Sequence, residues 1–396
     1  MIARLRPTIG SRELFAAVKR RPNSVAEFER AFALSLGQRY ALAFPYGRTA
    51  LRLLLESFGF VGQEIICPAY TCIVVAHAIV ASGNTPVFVD SRDEDFNMDL
   101  DLASAAVGPR TAAIVPTSLF GFPVDLDVLN AFASSHPDLR VVQDCAHSFG
   151  AEWRGQPVQR AGDAAVYGLN VSKIITAIFG GVVATDSGEV FESLREKRER
   201  MLVSGGLGKE LRRALYLGGA WGAFLPPVYR LVDELVRRGV LGRFTDYYDE
   251  HVIDMPRDHL TQMANVEARV GLVQAGRYEE IVAHRRRIAA IYNEVLADAR
   301  GVRLPPAEPG ATYSHYVVRT QRAEFVMKEL QAAGVQAGRL VDYVVPDLAA
   351  YAGARFLDRG VARTFPPLVL NLPVHAGVDS HRAESIGRIV AAAAAP

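Results

Sequence analysis

Three short stretches hold the residues whose types could do covalent chemistry: PYGRTAL (45–51), VVQDCAH (141–147) and NVSKIITAIFGGVV (170–183). Lys173 is the one charged side chain of the third stretch. A lysine in such company either snorkels, with its stem on apolar neighbours and its ammonium in water, or offers a neutral amine for nucleophilic chemistry. Asp144 ends a strongly apolar run, where an unpaired carboxylate is costly to bury. It can cap the next segment or pair with a protonated ring nitrogen. His147, three residues on, can hydrogen-bond or stack on such a ring, or be a satisfied structural histidine. In PYGRTAL a glycine turn leads into a helix start. There the amides of Gly47, Arg48 and Thr49 would form a phosphate site, with the Thr49 hydroxyl and the Arg48 guanidinium at hand. An ordinary helix cap reads the same way.

Singly these features are weak. In this order (phosphate cradle, strand-end Asp, later Lys) they specify pyridoxal phosphate (PLP). The lysine would form a Schiff base, Asp144 would keep the pyridine nitrogen protonated and the helix start would hold the phosphate.

The elements that must position them alternate. Strand-like runs fall at 40–47, 63–70, 85–90, 112–121, 140–147, 163–169 and 180–186, with helix-compatible segments such as Thr49–Phe58 and Thr71–Ser82 between the early ones. Several runs are nearly continuous in apolar residues, as strands covered on both faces are. The alternation predicts an α/β fold with a mostly parallel sheet and right-handed crossovers. Ligands of such sheets bind outside the carboxyl ends of the strands, where all three stretches fall. Asn265–Ala297 reads as one long helix or two, and from Tyr313 the pattern becomes a smaller α+β unit. The expected organisation is an N-terminal arm (1–24), a large domain (25–255) and a small C-terminal domain with its connecting long helix (256–396). Residues 205–250 form an apolar helical insertion in which Val228, Leu231, Val232, Leu235 and Val236 keep amphipathic helical spacing.

Composition narrows the class. The chain has 396 residues and a formal net charge of +1, from 44 Lys and Arg against 43 Asp and Glu, with no basic block that would suggest nucleic acid as a partner. Three cysteines without framework spacing predict reduced thiols, a cytoplasmic location and no zinc site. The N-terminus lacks the apolar core of a secretory signal, and no apolar run reaches the length of a membrane span.

The ordered set of GRTAL, EIICPAYTC, TPVFVD with DEDFNMD, IVPTSLFG with VDLD, QDCAHSFGAEWRGQPV, GDAAVYGLNVSK with its later GG, RRRIAAIY and LNLPV resembles the DegT/StrS family of fold-type-I PLP aminotransferases from about residue 24 onward. The resemblance implies Lys173 as the Schiff-base lysine and Asp144 as the pyridinium partner. It places His147 near the ring and Gly47, Arg48 and Thr49 in the phosphate turn, and it implies a homodimer with shared active sites. It also exposes departures. The usual Ser-Gly-Thr is Tyr46-Gly47-Arg48, and a serine five residues before the lysine is Gly168, so that Asn170 or Ser172 would substitute. The usual stacking aromatic is Cys72, which leaves stacking to Tyr70 or His147. Of an Asn-x-Arg-Met segment only Met263 remains, beside Leu260 and Gln262.

The implied activity is transfer of an amino group, with L-glutamate as donor, to a carbonyl on a nucleotide-linked sugar in glycan or secondary-metabolite biosynthesis. A decarboxylase, lyase or oxidase of the same fold would use the same lysine and aspartate; a non-catalytic PLP or sugar sensor would keep the fold and lose turnover. A dehydratase of this fold would carry histidine in place of Lys173. The 205–250 segment packs on its own domain, covers a partner's site, or meets a lipid-linked substrate or a membrane surface.

Overall fold

The computed structural model describes residues 1–19, 21–238 and 252–396; the last part of the 205–250 segment lies outside the described residues. Seven strands follow the runs read from the sequence: β1 (Tyr40–Phe44), β2 (Glu64–Pro68), β3 (Thr85–Val89), β4 (Thr111–Ile114), β5 (Arg140–Asp144), then β8 (Ala164–Gly168) and β9 (Gly181–Thr185), with a small ribbon of β6 (Glu152–Trp153) and β7 (Gln156–Pro157) between the last two groups. With β11 (Phe356–Leu357), contributed from late in the chain, they form one eight-stranded sheet in the order β1-β9-β8-β5-β4-β2-β3-β11. Only β9 runs against its neighbours. Most strand positions are buried, which explains the near-continuous apolar runs.

That single reversal positions the site. Because β9 is antiparallel to both neighbours, its first residue lies at the edge where β1, β8 and β5 end. Gly181 is in register with Phe44 on one side and Gly168 on the other. The ends of β1, β8 and β5 therefore deliver PYGRTAL, the Lys173 loop and Asp144 to one edge.

Boundaries shift for local reasons. The fourth run ends as a strand at Ile114, because Pro116 cannot donate to a ladder, and it closes in a short 3-10 turn at Leu119–Gly121. The long helical region is two helices, Asn265–Ala275 and Tyr278–Leu296, parted at Gly276. In the C-terminal part β10 (Tyr316–Arg319) pairs with β12 (Val369–Leu372), backed by the helices Ala323–Ala332 and Ser380–Ala394. The N-terminal residues reach this part, with Ile2 bridging Val335.

The insertion begins as two helices, Gly206–Ala223 and Pro226–Arg237. The first packs on Ser11–Val18 and Asn265–Ala275 of its own chain. It is keyed in by buried cations: Lys209 donates to the carbonyls of Thr261 and Gln262, and Arg213 pairs with Glu267 at 2.8 Å and Asp258 at 3.0 Å. Its outer face leaves Leu207, Leu211 and Leu215 exposed. Among the described residues no helix is long and apolar enough to cross a membrane.

Candidate active site

The helix Gly47–Ser57 starts at the sheet edge with Tyr46 as an extended N-cap and no side chain capping it. Its first amides are left to another acceptor, as helix starts that receive anions leave them. Glycines let the turn come this close. A Cβ on Gly47 would stand 3.1 Å from Gly168 Cα, and a Cβ on Gly181 would stand 2.5 Å from Gly47 N.

Lys173 lies in the loop between β8 and β9. Asn170 shapes that loop: its Oδ1 accepts from the Ser172 amide at 3.0 Å and the Ser172 hydroxyl at 2.6 Å, while its carbonyl accepts from the Lys173 amide at 3.1 Å. The two candidates for the missing serine are thus bound to each other. Burial lowers the pKa of the Lys173 amine below its ordinary value, and nearby Cys72 and Asp144 pull it back up. The residue is half-buried, with Cys72 and the Asp144 carboxylate within electrostatic reach of its amine.

Asp144 is buried at the end of β5. Its Oδ1 accepts from the Ala146 amide at 3.0 Å and its Oδ2 from the Thr117 hydroxyl at 3.2 Å. Burial raises its pKa, against the pull of the Ala146 amide, Lys173 and Thr117. A cationic partner would restore its charge. Buried His147 accepts at Nδ1 from the Phe120 amide, 3.3 Å away, which assigns the proton of the neutral ring to Nε2. Burial and Lys173 hold its pKa well below the usual histidine range.

Three proposed contacts have side chains directed elsewhere. The Arg48 guanidinium pairs with Asp254 at 2.9 Å, and the Thr49 hydroxyl donates to the His259 carbonyl at 3.1 Å. These two can offer the turn their amides, since segment 254–259 takes their side chains. Tyr70 is fully buried among Phe96, Phe120 and Phe365, and its hydroxyl donates to the Val341 carbonyl at 2.9 Å. This ring is packed into the core. Cys72 does lie beside Lys173, within electrostatic reach.

Sequence reasoning did not single out Thr117, Phe120, Arg285 or Tyr46 as contributors. All four stood in quoted stretches (IVPTSLFG, RRRIAAIY and PYGRTAL), but each acts through a partner remote in sequence. Tyr46 donates to Asp258 at 2.5 Å and accepts from Arg213 at 2.8 Å, so the insertion holds the residue that opens the turn.

The residues present fit PLP on geometry: an uncapped helix start in a glycine cradle, a desolvated lysine and a buried strand-end aspartate within electrostatic reach of it. The fold is the α/β fold of the PLP-dependent sugar aminotransferases. The chain belongs to the DegT/DnrJ/EryC1/StrS aminotransferase family, which it matches over residues 17–391. It is 30% identical over 378 residues to a GDP-perosamine synthase of Caulobacter vibrioides, covering 93% of this chain and 88% of the relative. It is 31% identical over 316 residues to a dTDP-3-amino-3,4,6-trideoxy-alpha-D-glucose transaminase of Micromonospora megalomicea, covering 78% of this chain and 72% of the relative. In fold it is similar to the PLP form of sugar aminotransferase Spr1654 from Streptococcus pneumoniae, described as putative, with a TM-score of 0.77, 21% identity and coverage of 98% and 97% of the two chains.

Proposed function

We propose that this aminotransferase uses PLP to move an amino group from L-glutamate to a carbonyl of a nucleotide-linked keto-sugar. The observation that carries the reading is the meeting of Lys173, Asp144 and the Gly47 turn at one sheet edge, with the lysine amine desolvated. The relatives named for nucleotide-sugar products support the substrate class.

PLP supplies an electron sink for carbon–hydrogen bond cleavage when it is bound. The chain's own residues would do the rest. Gly47, Arg48 and Thr49 would hold the phosphate with their backbone amides, and Asp144 would keep the ring nitrogen protonated. His147 would direct its Nε2 proton at the ring's surroundings. The Lys173 amine would take a proton at Nζ from the donor carbon and give it up again within the same half-reaction, so that each half begins with a neutral amine. Its lowered pKa suits that task, because a base must be neutral before it can accept.

A homodimer belongs to this reading, supported by the family resemblance. The test is amino-nitrogen transfer from 15N-labelled glutamate to a panel of GDP-, dTDP- and UDP-linked keto-sugars, read by mass spectrometry, with Lys173→Ala beside the wild type. Labelled amino-sugar from the wild type alone supports the reading. Glutamate turnover without a labelled sugar would move it to another acceptor, and turnover by Lys173→Ala at the wild-type rate would sink it.

A further inference from the structure

The helix Gly206–Ala223 has two unlike sides. One is seated on its own chain through Lys209, Arg213 and Leu217, all buried. The other carries Leu207, Leu211 and Leu215, which are 82%, 63% and 67% exposed and keep the i, i+4, i+8 spacing of one helix face. That side continues through Gly218 and Gly222, where an added Cβ would meet nothing within 4 Å, so among the described residues nothing covers it. Trp221 is exposed at its border, and the next helix, Pro226–Arg237, exposes Val228 and Leu231. An apolar face of this extent is a surface that something other than water takes up.

Charge distinguishes the occupants. The acids of the two helices are all engaged or buried: Glu210 accepts from the amides of Asn265 and Val266, Asp233 is buried, and Glu234 pairs with Arg238 at 2.8 Å. Arg212 and Arg230 are exposed. The helix Ser11–Val18, which packs on Gly206–Ala223, exposes Phe15 and Val18 together with Arg12, and exposed Lys19 follows it. The chain as a whole is balanced, with 44 basic against 43 acidic residues, yet the charge exposed on these helices is basic. Leucine and aromatic side chains beside exposed cations are the composition of helices that lie in a lipid–water interface. A second copy fits less well, because an isologous contact would set the patch against itself, with cations facing cations.

We propose that this face docks the protein on an anionic lipid surface, with Leu207, Leu211 and Leu215 entering the boundary between headgroups and acyl chains and Arg212 and Arg230 reaching the lipid phosphates. The attachment is peripheral, since among the described residues no helix is long and apolar enough to cross a membrane. Trp221 suits the headgroup level, where an indole keeps its apolar body in lipid and its N–H in water. The arginine stems lie along apolar surface while their guanidinium groups stay with the phosphates. On its seated side the same helix holds Tyr46 through Arg213 at 2.8 Å. A bilayer on the outer face would therefore stand one helix away from the Gly47 turn, and docking would bring the candidate active site to the membrane surface.

The experiment is co-sedimentation of the full chain with phosphatidylcholine vesicles, with and without phosphatidylglycerol, at low and high salt. Wild type is compared with the double variants Leu211→Asp, Leu215→Asp and Arg212→Glu, Arg230→Glu. All four side chains are exposed, so both variants should fold, and thermal midpoints check that they do. The expected result is binding to vesicles that contain phosphatidylglycerol, weakened about tenfold or more by either double substitution and weakened by salt, with midpoints unchanged. Wild type that stays in the supernatant with these vesicles would overturn the proposal. Binding that neither variant weakens would overturn it too, because another surface would then be the one that docks. Sedimentation velocity without vesicles covers the remaining occupant. An assembly that Leu211→Asp, Leu215→Asp splits, in a protein that ignores lipid, would give the face to a second copy and overturn lipid docking.

Discussion

Gly181 and Gly47 meet backbone to backbone: a methyl added to Gly181 would stand 2.5 Å from both the amide nitrogen and the Cα of Gly47. The glycine that opens β9 therefore lets the Gly47 turn, the proposed phosphate cradle, lie against the start of that strand. Gly181→Ala must push the turn outward, since backbone cannot yield as a flexible side chain does. We expect a stability loss of about 1–3 kcal/mol, the usual scale of overpacking, and PLP affinity at least ~10-fold weaker, because the helix-start amides no longer converge. Chemical denaturation and PLP titration check both.

Lys173 and Asp144 separate by their defects. On the proposed mechanism Lys173→Ala would remove both the covalent anchor and the base, so transamination should fall by about 10²–10⁴-fold or more. Asp144→Asn keeps size and the Thr117 hydrogen bond but cannot carry charge. It should retain PLP and lose donor turnover, because the ring nitrogen is no longer held protonated. Half-reaction kinetics with glutamate separate the two, and an Asp144→Asn protein with wild-type rates would remove the aspartate from the mechanism.

Acid should unfold the protein early. His147 and His315 are held well below the ordinary histidine value and His375 at about 4, burial being the first cause in each. The unfolded chain takes up these protons near pH ~6.5 and the folded one does not. Stability therefore falls as pH drops through that value, by up to about 1.4 kcal/mol per pH unit for each histidine. Asp144, raised by burial, acts oppositely: its share is lost as pH climbs above about 3.9. Denaturation midpoints between pH 5 and 8 should show the histidine slope, and His315→Gln should reduce it.

Arg213 should matter beyond its own helix. It pairs with wholly buried Glu267, whose pKa burial raises to about 7 against the pull of Arg213, and it contacts Tyr46 at the head of the turn. Arg213→Leu should cost about 3–5 kcal/mol, as breaking a buried pair does. The loss should be greater at pH 8 than at pH 6, because Glu267 must then keep its charge with the Ala264 amide and Lys209 but without its ion-pair partner, or take up a proton. Arg213→Leu with Glu267→Leu should recover part of it. A loss that does not vary with pH would mean that packing, not charge, sets it.

The large sheet was legible because its strands are buried on both faces and so read as apolar runs; the order of turn, aspartate and lysine was legible because each ends or closely follows a strand. The targets of the Arg48 and Thr49 side chains were not, since Asp254 and His259 lie some two hundred residues downstream. Tyr70 looked available for stacking because a tyrosine at a strand end is aromatic and near the site; only the packed fold surrounds it with Phe96, Phe120 and Phe365. Arg285 read as one of three arginines on a helix, and nothing local marks it as the one turned inward. The insertion was legible as amphipathic helix, whereas its grip on Tyr46 through Arg213 depends on tertiary contact.

The most direct test of the central claim is the visible absorption spectrum of the purified protein with PLP, beside Lys173→Ala, before and after L-glutamate. The account predicts a Schiff-base band in the wild type alone, bleached by glutamate. A wild type with no band, or a Lys173→Ala protein with the same glutamate-sensitive band, would contradict it.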